Sequence, residues 1–275
     1  MKLREDQIER YSRQIILSNI GRKGQKKILN AKVLLIGAGG LGSPCALYLA
    51  SAGVGRIGIV DSDVVELSNL QRQIVHSTTT VGKSKGESAK ITLNRINPDV
   101  EVVDYNLRIT SKNILDIIKD YDIVVDGSDN FPTKYLVNDA CVLSNKPLSH
   151  GGMFKFDGQL TTILPNESAC YRCFFSEPPL LRLVPGSQET GILGAVVGVI
   201  GTLQANEVLK FILGVGNLLA GKLLIFNALD ANFRQVEIFK DPNCSICGDN
   251  PSITELIDYE LFCGLKNNHT RIVKK

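Results

Sequence analysis

The chain has no tryptophan, two methionines and only three histidines in 275 residues. That scarcity narrows the chemistry. His76, His150 and His269 stand in neither a metal-ligand nor a triad spacing, so each reads as an ordinary residue, and imidazole acid–base catalysis is not expected. Net charge is scarce too: a formal +3 is too small to indicate nucleic acid. No clean apolar run of membrane length occurs. The most apolar stretch, 190–213, carries Gln204, Asn206, Glu207 and Lys210, and is expected to be a buried helix with no membrane span. Residues 1–5 offer no apolar leader. With an odd number of cysteines, seven, they point to a reducing cytoplasm. An apolar share of 44% with 21% charged residues argues against disorder and suffices for a full core.

The most informative stretch is Val33-Leu34-Leu35-Ile36 followed by Gly37-Ala38-Gly39-Gly40-Leu41-Gly42-Ser43. The apolar run predicts a strand buried on both faces, as in a parallel sheet. Gly37, Gly39 and Gly42 then give the G-x-G-x-x-G spacing of a strand-to-helix turn: Gly37 for the turn, Gly39 for close approach to a phosphate, Gly42 for packing the helix 41–52 on its strand. The start of that helix would face an anion with free N–H groups. A second strand, 57–60, ends in Asp61, which is placed to hold a ribose hydroxyl. The unit reads as nucleotide-binding. By itself it does not separate an ATP user from an NAD or FAD oxidoreductase.

Residues 62–73 follow that strand end and are too polar for a core element, so Arg72 and Gln73 are placed to face a phosphate chain or to form a surface loop. Lys85 opens a helix running to 96, where the helix dipole disfavours a cation unless an anion is near; this makes it a phosphate-ligand candidate. A third strand is predicted at 100–103 and a fourth at 123–125, ending in Asp126-Gly127-Ser128-Asp129-Asn130. Asp129 is placed either to bind Mg²⁺ at the same rim or, like Asn130, to cap the helix 131–143. Upstream, residues 4–18 are predicted as an amphipathic helix carrying Arg10 and Arg13, read as a solvated basic face in the absence of a partner, and 21–30 as a second helix.

After residue 147 the strand–helix alternation stops. A strand starts at 147–150, and 152–164 read as a strand pair extending the sheet antiparallel; 222–226 and 233–239 read as closing strands. Cys170-Tyr171-Arg172-Cys173 and Cys244-Ser245-Ile246-Cys247 form two CxxC pairs, enough thiolates for a closed tetrahedral Zn²⁺ site that clasps distant parts of the chain. Cys45, Cys141 and Cys263 fall on predicted elements and read as core cysteines. Residues 174–191 are expected to be a mobile crossover loop. The expected fold class is α/β: a Rossmann-like, mostly parallel sheet with an antiparallel extension and a C-terminal zinc-clasped lobe. The expected organisation is one domain over 5–263, with an N-terminal helical segment in 1–30, the crossover loop and zinc site in 165–250, and a flexible tail at 264–275.

Taken together, Arg10-Tyr11-Ser12-Arg13-Gln14-Ile15, the glycine turn, Ser68-Asn69-Leu70-Gln71-Arg72-Gln73, Gly82-Lys83-Ser84-Lys85, Asp126 to Asn130 and the two CxxC pairs resemble the MoeB/ThiF/HesA family, bacterial relatives of the ubiquitin-activating enzymes. The resemblance covers 5 to about 263. It implies ATP- and Mg²⁺-dependent adenylation of the C-terminal glycine of a ubiquitin-like sulfur carrier ending in Gly-Gly, with release of pyrophosphate. It implies that Gly40 and Asp61 bind the nucleotide, that Ser68, Asn69, Leu70, Gln71 and Arg72 with Lys85 hold the phosphates, and that Asp129 manages Mg²⁺ beside Asn130. It implies further that Arg13 reaches into the partner's triphosphate across a homodimer, and that Cys170, Cys173, Cys244 and Cys247 hold zinc.

The physics of that step agrees: a carboxylate attacking an α-phosphorus needs cations to offset like charge, and needs no histidine. One departure stands out. Ser187 occupies the place of a crossover-loop cysteine that some members use for a covalent link, so release of the acyl-adenylate to a separate sulfurtransferase is expected. No rhodanese-like stretch follows the zinc lobe, which leads to the same expectation. Residues 251–260 resemble the tails of MoeB-like members, which tilts the expected carrier toward a MoaD-like protein of molybdopterin synthesis over a ThiS-like one of thiamine synthesis.

Overall fold

The computed structural model describes residues 2–178 and 191–263. Ser187, His269, most of the crossover loop and the 264–275 tail lie outside the described residues. One eight-stranded sheet in the order β3-β2-β1-β4-β5-β6-β7-β8 organises the chain. Its strands are β1 (Lys32–Ile36), β2 (Arg56–Val60), β3 (Glu101–Tyr105), β4 (Ile123–Asp126), β5 (Leu148–Phe154), β6 (Asp157–Ile163), β7 (Lys222–Asn227) and β8 (Asn232–Glu237). The first five run parallel; β6, β7 and β8 are antiparallel. The strand order reverses between β1 and β4. Open α/β sheets take ligands at such a switch point, beyond the carboxyl ends of the strands.

β1 is apolar without alternation because both its faces are covered: Val33 and Leu35 face one core, Leu34 and Ile36 the other. The first core is closed by α4 (Gly42–Ala52), α5 (Lys85–Ile96) and the long helix α9 (Gly194–Leu213). The second is closed by α6 (Ile114–Ile118), α7 (Phe131–Leu143), the short α8 (Tyr171–Phe174) and the final turn α10 (Tyr259–Phe262). Helix α9 is the one described helix long and apolar enough to cross a membrane; half of its apolar window is buried within the fold. Cys45, Cys141 and Cys263 are core residues.

Two expectations need correction. The predicted helix over 4–18 is two pieces, α1 (Glu5–Arg10) and α2 (Ser12–Ile15). The break falls at Tyr11, whose ring packs under Gly53 and whose hydroxyl accepts a hydrogen bond from Asn97 Nδ2 at 2.8 Å, so tertiary packing overrides the helical period. Ile16, within that predicted amphipathic helix, is 71% exposed. The second correction concerns β5, which continues through Gly152 to Phe154. It pairs parallel with β4 and antiparallel with β6, so the strand pair within 152–164 begins earlier and its first member belongs to the parallel sheet. The remaining helix, α3 (Gly21–Asn30), falls where the sequence places it.

Candidate functional site

The glycine turn sits at the switch point. Gly37 has φ of +96°, a conformation open to glycine at little cost. A side chain on Gly42 would meet the Gly37 carbonyl oxygen at 2.0 Å, so α4 packs on its strand only because residue 42 has none. Gly39 differs: the nearest protein atom to a side chain there is Gln73 Nε2 at 3.7 Å. The fold itself therefore leaves room for a side chain at Gly39. Gly40 faces Val197 of α9, which a side chain would meet at 2.6 Å.

Asp61 closes the turn from the end of β2. Its Oδ2 accepts the Ala38 backbone N–H at 2.8 Å and its Oδ1 accepts the Asp63 N–H at 2.9 Å. Burial pushes the Asp61 carboxyl above the usual carboxylate range, and the Lys85 charge opposes that push. Lys85 Nζ lies 2.8 Å from Asp63 Oδ2, and the residue is 7% exposed. The mismatch of a cation in the first turn of α5 thus has an anion beside it within the protein, Asp63. Ser84 caps α5 by accepting the Glu87 N–H at 3.2 Å.

The polar segment after β2 is built as a shelf. A short 3₁₀ turn, Leu67–Asn69, is locked by Asn69 Oδ1, which accepts the Glu66 N–H at 3.1 Å; Asn69 is buried. Ser68 and Gln71 are exposed, and Leu70 is half-buried. Arg72 donates to the Ser68 carbonyl at 3.1 Å, and its Cγ lies 3.7 Å from where a Gly40 side chain would begin. Gln73 is buried against Gly39, with Oε1 lacking a partner among the described residues. Arg72, Gln73, Lys85 and Asp61 therefore gather around one turn.

The β4 end joins the same rim: the Gly127 carbonyl oxygen lies 3.1 Å from where a Gly37 side chain would begin. Asn130, not Asp129, caps α7, its Oδ1 accepting the Thr133 N–H at 3.0 Å. Asp129 is exposed, and no hydrogen bond or ion pair involves it among the described residues, so its carboxylate is available to a cation.

Arg13 is not part of this cluster. Gln14 and Gln25 donate to the Ala52 carbonyl at 3.2 and 3.0 Å, which fixes α2 at the C-terminal end of α4. The glycine turn is at the other end of that eleven-residue helix, about 16 Å away at 1.5 Å per residue. Arg13 itself is exposed.

Some residues of this rim have roles that sequence did not assign them. His76 Nε2 donates to the Ala38 carbonyl at 3.0 Å, and Nδ1 lies 2.9 Å from the Ser88 hydroxyl. It holds the turn from below as a neutral ring: burial, helped by Lys85, pushes its pKa down to about 4. Asp126 is fully buried, with Lys134 Nζ at 3.2 Å, His150 Nδ1 at 2.9 Å and the Ser128 hydroxyl at 2.6 Å; those partners hold its carboxyl well below the usual range despite burial. A lone histidine or an in-strand aspartate carries no local signal for such roles.

The four CxxC sulfurs cluster. Cys170 and Cys244 are 3.6 Å apart, Cys173 and Cys247 3.4 Å, Cys170 and Cys173 3.9 Å, and all four sulfurs lie within 4.8 Å of one another. A tetrahedron with metal–sulfur bonds of ~2.3 Å has edges of ~3.8 Å, so the group is shaped to hold a metal ion.

The ThiF family pattern matches residues 11–246. A sulfur carrier protein adenylyltransferase of Thermus thermophilus is 47% identical over 271 residues, covering 97% of this chain and 100% of that protein. Adenylyltransferase and sulfurtransferase MOCS3 of Aedes aegypti is 50% identical over 266 residues, covering 96% of this chain but 61% of that relative, so the chain spans less than two thirds of it. Among solved structures, Escherichia coli MccB with ATP superposes with a TM-score of 0.77 at 28% identity, over 86% of this chain and 74% of MccB. PaaA, at 24% identity and a TM-score of 0.73, shares the fold. By its glycine turn, its rim of cations and acids, its cysteine cluster and these likenesses, the chain belongs to the ThiF family.

Proposed function

We propose that this chain is an ATP-dependent adenylyltransferase that activates the C-terminal glycine of a ubiquitin-like sulfur carrier as an acyl-adenylate, releasing pyrophosphate. The observation that carries the reading is the gathering of Asp61, Arg72 and Lys85 around the glycine turn, with Asp129 on the same rim, in a chain whose full-length relative is named for that activity. An NAD-dependent oxidoreductase leaves Arg72 and Lys85 without work and is not supported by the family.

In this reading Asp61 takes the ribose, and the backbone N–H groups around Gly39 and Gly40 take phosphate oxygens. Arg72 and Lys85 offset the negative charge that builds up as the carrier carboxylate attacks the α-phosphorus and pyrophosphate departs. Lys85 is held ready by Asp63 and exchanges that partner for phosphate oxygen, a stronger charge complement. Asp129 would hold Mg²⁺, whose contribution is to neutralise phosphate oxygens. Arg13 cannot reach its own glycine turn, so we assign it to the site of a second copy in a homodimer, as a guanidinium delivered in trans.

The cysteine cluster is assigned to structural zinc, whose role is to tie the chain near residue 244 to α8. A thiolate site of that kind suits the reducing cytoplasm, where we place the protein. Sulfur is assigned to a separate sulfurtransferase. The carrier is assigned to the MoaD-like class on the strength of residues 251–260.

The test is carrier-dependent exchange of labelled pyrophosphate into ATP. Exchange is expected with a MoaD-like carrier ending in Gly-Gly, and loss of exchange when one residue is added after the last glycine. No exchange with any Gly-Gly carrier sinks the reading; faster exchange with a ThiS-like carrier moves the pathway to thiamine.

A further inference from the structure

Arg172 stands between Cys170 and Cys173, so its backbone belongs to the cysteine cluster, yet its side chain serves α7. The residue is 2% exposed, and its guanidinium forks onto Asp139, with Nε 2.8 and 3.1 Å from the two carboxylate oxygens and Nη2 2.8 Å from Oδ2. It lies between two rings, 4.9 Å from the centre of Tyr135 and 4.5 Å from that of Phe262. The Tyr259 hydroxyl donates to Asp139 Oδ2 at 2.8 Å. The cluster grips the same helix twice more: the Tyr171 N–H donates to Asn138 Oδ1 at 2.8 Å, and the Tyr135 hydroxyl donates to the Phe175 carbonyl at 2.9 Å.

The other end of α7 belongs to the nucleotide rim. Asn130 caps it directly after Asp129, and Lys134 Nζ reaches Asp126 Oδ2 at 3.2 Å and the Gly151 carbonyl at 2.7 Å. Lys134 and Asn138, four residues apart, share a face of the helix. One rigid element of about 14 Å therefore runs from the cap to the Arg172 clamp.

Asp139 is fully buried. If the cluster opens and Arg172 leaves with it, the carboxylate keeps, among the described residues, only the Tyr259 hydroxyl and Asn138 as partners. A buried charge in that state has to recover a counter-charge, water or a proton, and α7 loses the ion pair that fixes it at this end. The structure holds the clamp engaged, and its release is the kind of discrete change that coupling between distant sites requires.

We propose that Arg172 is a positioning residue which, through α7, couples metal occupancy of the four-cysteine cluster to the divalent-cation affinity of the Asp129 corner. The proposal rests on the reading of Asp129 as the cation ligand and of the cluster as a metal site. By linkage, cation·ATP at the rim also tightens metal binding at the cluster by the same factor.

The experiment measures Mn²⁺ binding in the presence of ATP by electron paramagnetic resonance, on the full chain and its C247S, R172Q, C247S/R172Q and D129A variants. C247S and R172Q are each expected to weaken Mn²⁺·ATP binding about tenfold, with the double variant no more than about twofold worse than either. Binding of ATP without divalent cation should stay within about twofold, which general loosening of the fold would not allow. The share of cluster metal taken at equilibrium by a competing colorimetric chelator should fall when Mn²⁺·ATP is added to the unsubstituted chain, and not in R172Q.

Unchanged Mn²⁺·ATP affinity in C247S and R172Q, or losses that multiply in the double variant, overturn the coupling. If D129A alone leaves Mn²⁺·ATP binding intact, the reading of Asp129 falls, and the coupling with it. Should R172Q not fold, Y259F decides: about a threefold loss is expected, and none overturns the proposal.

Discussion

Lys85 shows how one side chain can satisfy two demands. Its ammonium is buried at a helix start, a place hostile to a cation, and Asp63 makes it tolerable there. K85A and R72A are each expected to lower carrier-dependent pyrophosphate exchange about 100-fold while leaving the melting temperature within a few degrees; exchange within about threefold of the unsubstituted chain would remove these cations from the mechanism. His76 carries a prediction of a different kind. Its folded pKa, pushed down to about 4, is below the ordinary histidine value, so the folded state binds fewer protons between those limits. Its contribution to stability is therefore complete above about pH 6.5 and is lost as pH falls toward 4, by as much as about 3 kcal/mol. His150, fully buried, is shifted in the same direction. Melting curves at pH 7.5 and pH 5 should show the loss, and H76Q should remove part of it; an equal loss in H76Q assigns the slope to other groups.

At the scale of the element, the glycine turn separates what the fold needs from what the ligand needs. G42A would drive a methyl group to 2.0 Å from the Gly37 carbonyl, against rigid backbone, and is expected to destabilise the protein by about 3 kcal/mol or more. G39A has 3.7 Å to its nearest neighbour, so it should fold normally and lose ATP affinity. Denaturation and ATP titration on the two variants check the contrast; equal stability losses would show that Gly39 is there for packing. The sequence could assign three glycines by spacing, but only the packed neighbours reveal which serve the protein. Asp129 and Asn130 divide in the same way. They are indistinguishable as cap candidates until the structure gives the cap to Asn130 and leaves Asp129 exposed.

The whole molecule decides the place of Arg13. Within one copy it sits at the wrong end of α4, which makes the proposed site incomplete without a second chain. Mixing inactive R13A with inactive K85A should then restore about a quarter of the activity, because half of randomly paired dimers are mixed and each of those holds one intact site; no recovery on mixing would confine Arg13 to some other task. Sequence alone determined the glycine strand, its helix, Asp61, Lys85 and the two CxxC pairs, because each is a local pattern of spacing and polarity that a short window contains. It also determined the buried character of β1, which is written in unbroken apolarity. It did not determine the break at Tyr11, the union of 148–154 in a single strand, the anion that steadies Lys85, the ring beneath the glycine turn or the Arg172–Asp139 clamp. Those depend on partners tens of residues away, and burial turns such pairings into structure only after the chain has folded, when water is gone and each charge must find its counterpart.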